Sequence, residues 1–186
     1  MDKLLKNMTN EELWQLFPII ISEHKDYWKN YFTGERSLLK KLLGKDVLKI
    51  HHIGSTSIPG LPAKPTIDIL MEVRDEADTD DLIRRMESAG YIYSYQPKNP
   101  APYMMFMKGY TPQGFAERVF HVHVRYSGNW DEIYFRDYLL SHPNTAKEYA
   151  ELKFRLKEQY EYDRDAYTVA KTEFITQITN LAKRNR

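Results

Sequence analysis

Apolar residues along this chain follow two patterns, one in its first two thirds and another in its last third. Short apolar or β-branched stretches, which are typical of strands, occur at residues 16–21, 47–53, 66–73, 91–95, 103–108 and 119–126. Pro18 lies in the first stretch, and because proline has no N–H to donate, we expect that strand at a sheet edge. Strands therefore dominate the chain up to residue 126.

Segments with helical spacing of apolar residues lie between these stretches, and after residue 129 the chain shows helical spacing only. This spacing predicts helices over residues 9–16, 25–43, 78–89, 131–141, 145–160 and 163 to about 184. Gly44 and Gly90 are expected to end two of them, and Thr145 with Glu148 fits a capping box at the start of another. Residues 109–118 are rich in glycine, proline and polar side chains, so we expect a mobile connection able to cover a site.

Strands in the middle and helices at the end predict an α+β fold. We expect a mixed β-sheet with helices packed on one face, a helical C-terminal part, and the other face of the sheet left for a ligand. A chain of 186 residues that is 42% hydrophobic is long enough for one core. We therefore predict a single domain over residues 1–186, sheet-rich over 16–126 and helical over 129–184.

Composition excludes several classes of function. The 27 basic and 26 acidic side chains give a formal charge of +1, so no overall field recruits nucleic acid or an anionic membrane. The absence of cysteine excludes disulfides, thiolate catalysis and zinc–cysteine sites. The longest wholly apolar run, residues 17–21, is far shorter than the roughly 20 residues of a membrane span, and the amino terminus shows no apolar signal segment. We expect a cytoplasmic protein with no membrane or nucleic-acid partner; the sequence leaves its oligomeric state open.

The segment after residue 53 carries the first candidate site. Gly54, Ser55 and Thr56 follow a predicted strand, and such small residues let backbone N–H groups approach a phosphate. Asp68 and Glu72 then lie on one face of the next predicted strand, about 13 Å apart by strand rise, which is too far to share one metal ion directly. Asp68 is the better ligand because it lies nearer the turn. A carboxylate in such an apolar strand either faces a cleft or has a fixed partner.

Four further side chains have both a functional and a structural interpretation. Lys64 and Arg118 are candidates to contact phosphate, to pair with Asp68, or simply to lie at the surface. His121 and His123 share one face of a predicted strand, where they would serve as site residues or as half-buried hydrogen-bonded histidines.

Residues 52–69, which read His-Ile-Gly-Ser-Thr-Ser-Ile-Pro-Gly-Leu-Pro-Ala-Lys-Pro-Thr-Ile-Asp-Ile, closely resemble the signature of the GrpB family. Residues 120–124 resemble that family's later His-x-His strand, and residues 135–139, 142–143, 149–150, 153 and 167–171 resemble its helical end. The resemblance covers roughly residues 16–178. It implies a nucleotidyltransferase-like fold of the polymerase-β-type superfamily, and it implies that Lys153 and Lys171 line a nucleotide cleft.

The chain departs from the active-site pattern of that superfamily. Its enzymes carry two acids separated by one residue, whereas the neighbours of Asp68 on its strand face are Thr66 and Leu70. His121 and His123 stand on the later strand where a further acid is expected. Two-magnesium catalysis needs several oxygen ligands, and imidazole with carboxylate suits a softer metal.

These observations give three hypotheses. The first is a protein that binds a nucleoside triphosphate and a divalent metal and transfers a nucleotidyl group to an unknown acceptor. The phosphate-binding residues are then Gly54, Ser55, Thr56, Lys64, Arg118, Lys153 and Lys171. The metal ligands for Mg²⁺ or Mn²⁺, with Zn²⁺ as the alternative, are Asp68, Glu72, His121 and His123, of which Asp68, His121 and His123 are also the catalytic candidates. The second hypothesis is a non-catalytic nucleotide-binding regulatory module. The third is a hydrolase that uses the two histidines and a carboxylate to hold a transition metal.

Overall fold

The computed structural model describes residues 5–184, which contain five strands and seven α-helices. The strands are β1 (Val47–Ile53), β2 (Thr66–Val73), β3 (Ile92–Tyr95), β4 (Met104–Thr111) and β5 (Gly114–Tyr126). The helices are α1 (Asn10–Leu16), α2 (Tyr27–Leu43), α3 (Thr79–Ser88), α4 (Asp131–Ser141), α5 (Pro143–Tyr160), α6 (Arg164–Ala170) and α7 (Thr172–Arg184). A short 3₁₀ turn, Ser55–Ser57, follows β1. Within residues 5–184, no helix is long and apolar enough to cross a membrane.

The five strands form one mixed sheet in the order β1-β2-β5-β4-β3. Strands β2 and β5 run parallel, and the other neighbouring pairs are antiparallel. The parallel register places Asp68 opposite His121 and Leu70 opposite His123. Because side chains alternate across a strand, Asp68 and both histidines lie on the same face of the sheet.

The opposite face of the sheet carries the main core, which α2 and α3 cover. Ile67 and Ile69 of β2, Val122 of β5, Leu39 of α2 and Leu82 of α3 belong to this cluster, and each is at most 1% exposed. Burial of a side chain of this size contributes about 1.5–3 kcal/mol. The apolar cluster therefore fixes both helices to the sheet and leaves the other face for polar side chains.

The C-terminal helices approach the polar face of the sheet. A second apolar cluster joins Ile58 and Leu61, which follow the 3₁₀ turn, to Leu139 of α4. Arg136 of α4 also donates a hydrogen bond to the carbonyl of His52 in β1 at 3.0 Å. Helices α4 and α5 are thus held beside the turn, and α4 also contacts the end of β1. The predicted α+β fold is confirmed.

Most predicted elements are confirmed, but residues 16–21 do not form a strand. The N–H of Ile19 donates instead to the carbonyl of Glu161, at the end of α5, at 2.8 Å. Ile19 is 1% exposed and packs with Leu156 and Tyr167 of the helical end. The segment is therefore apolar because helices bury it, and Pro18 limits its ability to pair in a ladder.

Residues 109–118 are also not the mobile loop that their composition predicts. Strands β4 and β5 continue through this segment and pair as far as Thr111 and Gly114. Pro112 and Gln113 make the tight connection between them. Polar side chains here reflect an exposed hairpin, because one face of such a hairpin is solvated.

The predicted start of α5 was wrong by two residues, and the last predicted helix is two helices. Pro143 begins α5 directly after His142. The N–H of a residue in the first turn has no intrahelical acceptor, so a proline is tolerated there. Thr145 lies inside the helix, so it forms no capping box with Glu148. Lys171 separates α6 from α7.

Candidate functional site

The turn after β1 is held in shape by its own hydroxyl groups. Gly54 has φ +69°, which glycine adopts without the steric cost of a Cβ. Its carbonyl accepts hydrogen bonds from the N–H of Ser57 at 3.2 Å and from the hydroxyl of Ser57 at 2.6 Å. The hydroxyl of Thr56 donates to the carbonyl of Thr66 at 3.2 Å. The turn is therefore tied to the start of β2, and Ser55 is left to make contacts elsewhere.

A chain of polar contacts runs from Asp68 across the sheet to α6. Asp68 Oδ1 lies 3.3 Å from His121 Nδ1, and His121 Nε2 lies 2.7 Å from the hydroxyl of Tyr110. Arg164 Nη2 donates to the same hydroxyl at 3.1 Å. In a neutral imidazole, this arrangement lets Nδ1–H donate to the carboxylate while the tyrosine donates to Nε2. Asp68 and His121 are thus held in fixed orientations.

A bulge at Gly109 brings Tyr110 to this chain. The pairing of β4 with β5 shifts register between Lys108 and Tyr110, and Gly109 has φ +92°. Strict alternation would place Tyr110 on the same face as Lys108, which contacts Glu35 of α2 at 2.9 Å. The extra residue turns Tyr110 toward His121 instead. Sequence reasoning missed Tyr110, although an isolated glycine in a strand pattern is a recognised sign of a bulge.

Burial and charge act in opposite directions on the groups around Asp68. Burial raises the pKa of Asp68, but the hydrogen bond and charge of His121, aided by His123 and Lys64, bring it below its ordinary value. Burial lowers the pKa of His123 to about 4, although Asp68 acts in the other direction. Burial likewise lowers the pKa of His52 to about 4. Near pH 7, Asp68 is ionised and both of these histidines are neutral.

Lys153 reaches the turn from α5. Its Nζ lies 3.0 Å from Ser55 Oγ and also donates to the carbonyl of Pro62. Lys153 is 3% exposed, and its burial, together with the nearby Lys171 and Lys64, lowers its pKa to about 7. The structure therefore brings together Ser55, which the sequence motif indicated, and Lys153, which only the family resemblance indicated.

Two further lysines lie near the Tyr167 ring. Lys64 Nζ is 5.6 Å and Lys171 Nζ is 4.5 Å from its centroid. Burial, followed by the charges of Lys171 and Arg164, lowers the pKa of Lys64 to about 7, while Asp68 opposes this shift. Burial also lowers the pKa of Lys171, again against the effect of Asp68. A small cavity of about 50 Å³ lies against Lys64 and Arg164.

Glu72 and Arg118 lie outside the cluster of polar residues around Asp68. Glu72 is 1% exposed and pairs with His51 at 3.0 Å and with Lys49 at 3.6 Å, so its carboxylate already has partners. Arg118 is exposed and lies over the ring of Tyr31 in α2, 4.6 Å from its centroid. Alternation along β5 gives Arg118 the face that α2 covers. The structure therefore does not bring Arg118 to the cluster around Asp68, and Glu72 belongs to a separate ion-pair cluster.

The protein side chains around Asp68 do not by themselves complete a metal centre. In the described part of the chain, no three His, Asp or Glu side chains are grouped so that they could hold a metal ion. His121 directs both ring nitrogens to protein partners, Asp68 and Tyr110. A zinc hydrolase needs three protein ligands, so this arrangement does not fit one. Magnesium or manganese fits better, because such ions are often held by one carboxylate and the phosphate oxygens of the ligand.

The predicted residues that gather at the site are Gly54, Ser55, Thr56, Lys64, Asp68, His121, His123, Lys153 and Lys171. Sequence reasoning missed Tyr110, Arg164 and the contribution of Tyr149. Tyr149 is 4% exposed, and its ring centroid lies 4.9 Å from Lys153 Nζ. A tyrosine at helical spacing is typical of a core position, so the local sequence does not indicate that Tyr149 lies beside the turn.

Comparison with known proteins agrees with the resemblance. The family described as "GrpB protein" matches residues 18–181. A UPF0157 protein of Pseudomonas aeruginosa is 38% identical over 156 residues, which cover 83% of this chain and 64% of that protein. The glutamate-rich protein GrpB of Alkalihalophilus pseudofirmus is 36% identical over 166 residues, covering 87% and 94%. The crystal structure of the conserved protein GrpB from Enterococcus faecalis matches with a TM-score of 0.77 and 31% identity, over 89% of this chain and 98% of that one.

Some relatives are considerably longer than this chain. It spans 64% of the length of the Pseudomonas aeruginosa protein and 50% of the length of the UPF0157 protein YqkA of Bacillus subtilis. A dephospho-CoA kinase of Mycolicibacterium paratuberculosis is 29% identical over 156 residues, which cover 72% of this chain and 38% of that protein. The family match extends over most of the chain and the fold agrees with a solved GrpB structure, so the chain belongs to the GrpB family.

Proposed function

We propose that this protein binds a nucleoside triphosphate, or a related phosphorylated small molecule, between the Gly54–Ser55 turn and the helical end. The observation that carries the proposal is the gathering of three lysines at one place, where Lys153 is buried and Lys64 and Lys171 are half-buried. Buried charges are stable only when they are paired. A cluster of cations that lower one another's pKa is therefore suited to an anionic ligand.

The balance of charge supports this interpretation. Arg164 joins the lysines and, with Lys171, lowers the pKa of Lys64. Asp68 is the carboxylate that opposes the downward pKa shifts of both Lys64 and Lys171. Phosphate groups would supply the missing negative charge and would raise the lysine pKa values toward their ordinary range.

The similarity to a segment of a dephospho-CoA kinase fits a nucleotide-related role but names no reaction for this chain. The proposed reaction is nucleotidyl transfer. The oxygen of an acceptor hydroxyl bonds to the α-phosphorus, the bond from that phosphorus to the pyrophosphate oxygen breaks, and Asp68 accepts the hydroxyl proton. His121 orients Asp68, and the lysines stabilise the charge that develops on pyrophosphate. A bound magnesium or manganese ion, held by Asp68 and phosphate oxygens, would neutralise further charge.

A non-catalytic nucleotide-binding module is the second candidate function. Leu70 supports it, because this residue stands where the second acid of the superfamily pattern is expected and is fully buried opposite His123. The site then has a single carboxylate next to the turn. Such a module binds nucleotide without releasing pyrophosphate.

A thermal-shift screen tests the proposal. Wild type, Asp68→Ala, a Lys64→Gln, Lys171→Gln double variant and the exposed-carboxylate control Asp75→Asn would be compared with nucleoside triphosphates, with and without magnesium or manganese. Ligand at about 100 times its Kd adds about 2.7 kcal/mol, which raises the melting temperature of a domain of this size by roughly 5–10 °C. The double variant is expected to lose the shift and the control to keep it.

The dependence on metal separates the two candidates. A shift that needs metal and disappears in Asp68→Ala supports the metal–nucleotide site, and pyrophosphate release with a panel of acceptors then identifies catalysis. A metal-independent shift that Asp68→Ala preserves supports binding alone, because removal of the carboxylate also removes repulsion of phosphate. If no triphosphate shifts wild type at all, the proposal fails.

A further inference from the structure

Ser55 contacts Lys153, which also belongs to the lysine cluster of the proposed phosphate site, and it lies beside the buried Tyr149. Lys153 Nζ lies 3.0 Å from Ser55 Oγ and is also anchored by the carbonyl of Pro62. Tyr149, one turn earlier on α5, is 4% exposed; burial raises the pKa of its hydroxyl, and a hydrogen bond with Ser55 partly opposes that shift. Ser55 itself is only half-buried, so its hydroxyl remains within reach of a ligand.

Lys153 is 3% exposed, whereas the neighbouring Lys64 and Lys171 are half-buried. Burial, reinforced by Lys171 and Lys64, lowers its pKa to about 7, so a large fraction of the amine is neutral at neutral pH. A neutral amine within about 2.6–3.2 Å of a hydroxyl can act as its general base. Serine–lysine pairs of this kind are a known alternative to the serine–histidine–aspartate triad.

We infer that Ser55 is a nucleophile that Lys153 activates and Tyr149 positions, and that it accepts an acyl group from an activated carboxylic ester or thioester. Ser55 Oγ forms a bond to the carbonyl carbon while its proton passes to Lys153 Nζ. The bond from that carbon to the ester oxygen, or to the thioester sulfur, then breaks. The leaving alcohol or thiol takes the proton from Lys153. Water releases the acyl group as a carboxylic acid by the same two steps.

The neighbouring Ser57 provides a matched control. It lies in the same 3₁₀ turn and is also half-buried, but its hydroxyl donates to the carbonyl of Gly54 at 2.6 Å. It therefore has a carbonyl partner where Ser55 has an amine. A difference in reactivity between the two serines reports the effect of Lys153 and not of the turn.

The test uses the whole protein without nucleotide, so its outcome does not depend on the proposed function. The probes are p-nitrophenyl acetate, followed by release of p-nitrophenol, and an alkyl fluorophosphonate, followed by peptide mass mapping. The fluorophosphonate leaves a phosphonyl group on the serine oxygen and releases fluoride. We expect label on Ser55, none on Ser57, and loss of both signals in Ser55→Ala.

The pH dependence and the lysine variants distinguish a base from a structural cation. The labelling rate of wild type should rise with pH through about 7, the pKa of Lys153, and level off above it. Lys153→Arg keeps the charge but cannot give up its proton, so it should label at least 100-fold more slowly while still melting cooperatively. Tyr149→Phe should lower the rate without moving the midpoint.

Three results would overturn the inference. One is label on other residues with Ser55 unmodified. Another is a wild-type rate that rises tenfold per pH unit up to pH 10 with no plateau, as for an unassisted hydroxyl. The third is full reactivity of Lys153→Arg. The wild-type pH profile decides the matter even where a variant fails to fold.

Discussion

Gly54 lies against Asp68 so closely that a side chain at position 54 would occupy the space of the carboxylate. A Cβ there would stand 3.0 Å from Asp68 Cβ and 3.1 Å from Asp68 Cγ, and it would overlap Oδ2. Real Cβ atoms do not approach other atoms this closely, so glycine allows the turn and strand β2 to meet. The Gly54–Ser55 turn and the carboxylate of Asp68 therefore form a single structural unit.

Gly54→Ala is expected to displace Asp68 as well as to strain the backbone. Its matched control is Gly60→Ala, since Gly60 also has a positive φ, +76°, but has open space where its Cβ would lie. We expect Gly60→Ala to lower the free energy of unfolding by about 1–2 kcal/mol and Gly54→Ala by about 2–4 kcal/mol. Urea denaturation measures both. Equal losses would mean that the contact with Asp68 is unimportant.

Tyr110→Phe should release His121 from its fixed orientation. The change leaves His121 Nε2 and one N–H of Arg164 without their shared partner, at a cost of about 1–3 kcal/mol. Nitrogen chemical shifts of the imidazole, measured by NMR, should show a change in the tautomer or hydrogen bonding of His121. Tyr103→Phe is the control because Tyr103 is 42% exposed. An unchanged His121 spectrum in Tyr110→Phe would contradict the contact.

Acid should destabilise the protein before its carboxylates titrate. Burial holds the pKa of His123 at about 4 in the folded state, below the value of about 6.5 in an unfolded chain. The unfolded chain therefore binds more protons between these values, so this contribution to stability is complete above pH 6.5 and is lost as pH falls toward 4. The loss is on the order of 1–3 kcal/mol. His52, with a pKa also near 4, acts in the same direction.

Urea denaturation at pH 7 and pH 5 measures this effect. The free energy of unfolding should differ less between the two pH values in His123→Met than in wild type. Methionine has a similar size, is apolar and cannot take up a proton. The exposed His142 gives the control, His142→Gln, which should behave as wild type. If His123→Met shows the full wild-type difference, His123 is not the group that titrates.

Ligand binding at pH 8 should take up protons. Lys64 has a pKa of about 7 in the free protein, and a bound phosphate favours its charged form, so part of the lysine population becomes protonated on binding. Calorimetric titrations in two buffers with different ionisation enthalpies measure the number of protons bound. Uptake should fall in Lys64→Gln and stay unchanged in Lys147→Gln, which alters an exposed lysine of α5. Binding without proton uptake would argue against ligand contact with Lys64.

Local pattern was sufficient to predict several elements. Strands β1 and β2 have the predicted bounds, and α4 agrees with its prediction at both ends. Each of these segments carries its own periodicity and is bounded by glycine, proline or a polar turn, so short-range sequence specifies it. The strand predicted over residues 16–21 does not form, because the C-terminal helices, which are distant in sequence, bury this segment.

The sequence by itself determined the α+β class, the Gly54–Ser55 turn, Asp68 in an apolar strand, and membership of a family through an extended motif. Tertiary structure alone decided that His121 faces Asp68, that a bulge turns Tyr110 toward it, and that Lys153 contacts Ser55 across 98 positions of sequence. The physical reason is that periodicity states which side of a segment is buried. Which segments then meet depends on strand pairing and helix packing between distant residues, and no local pattern records those contacts.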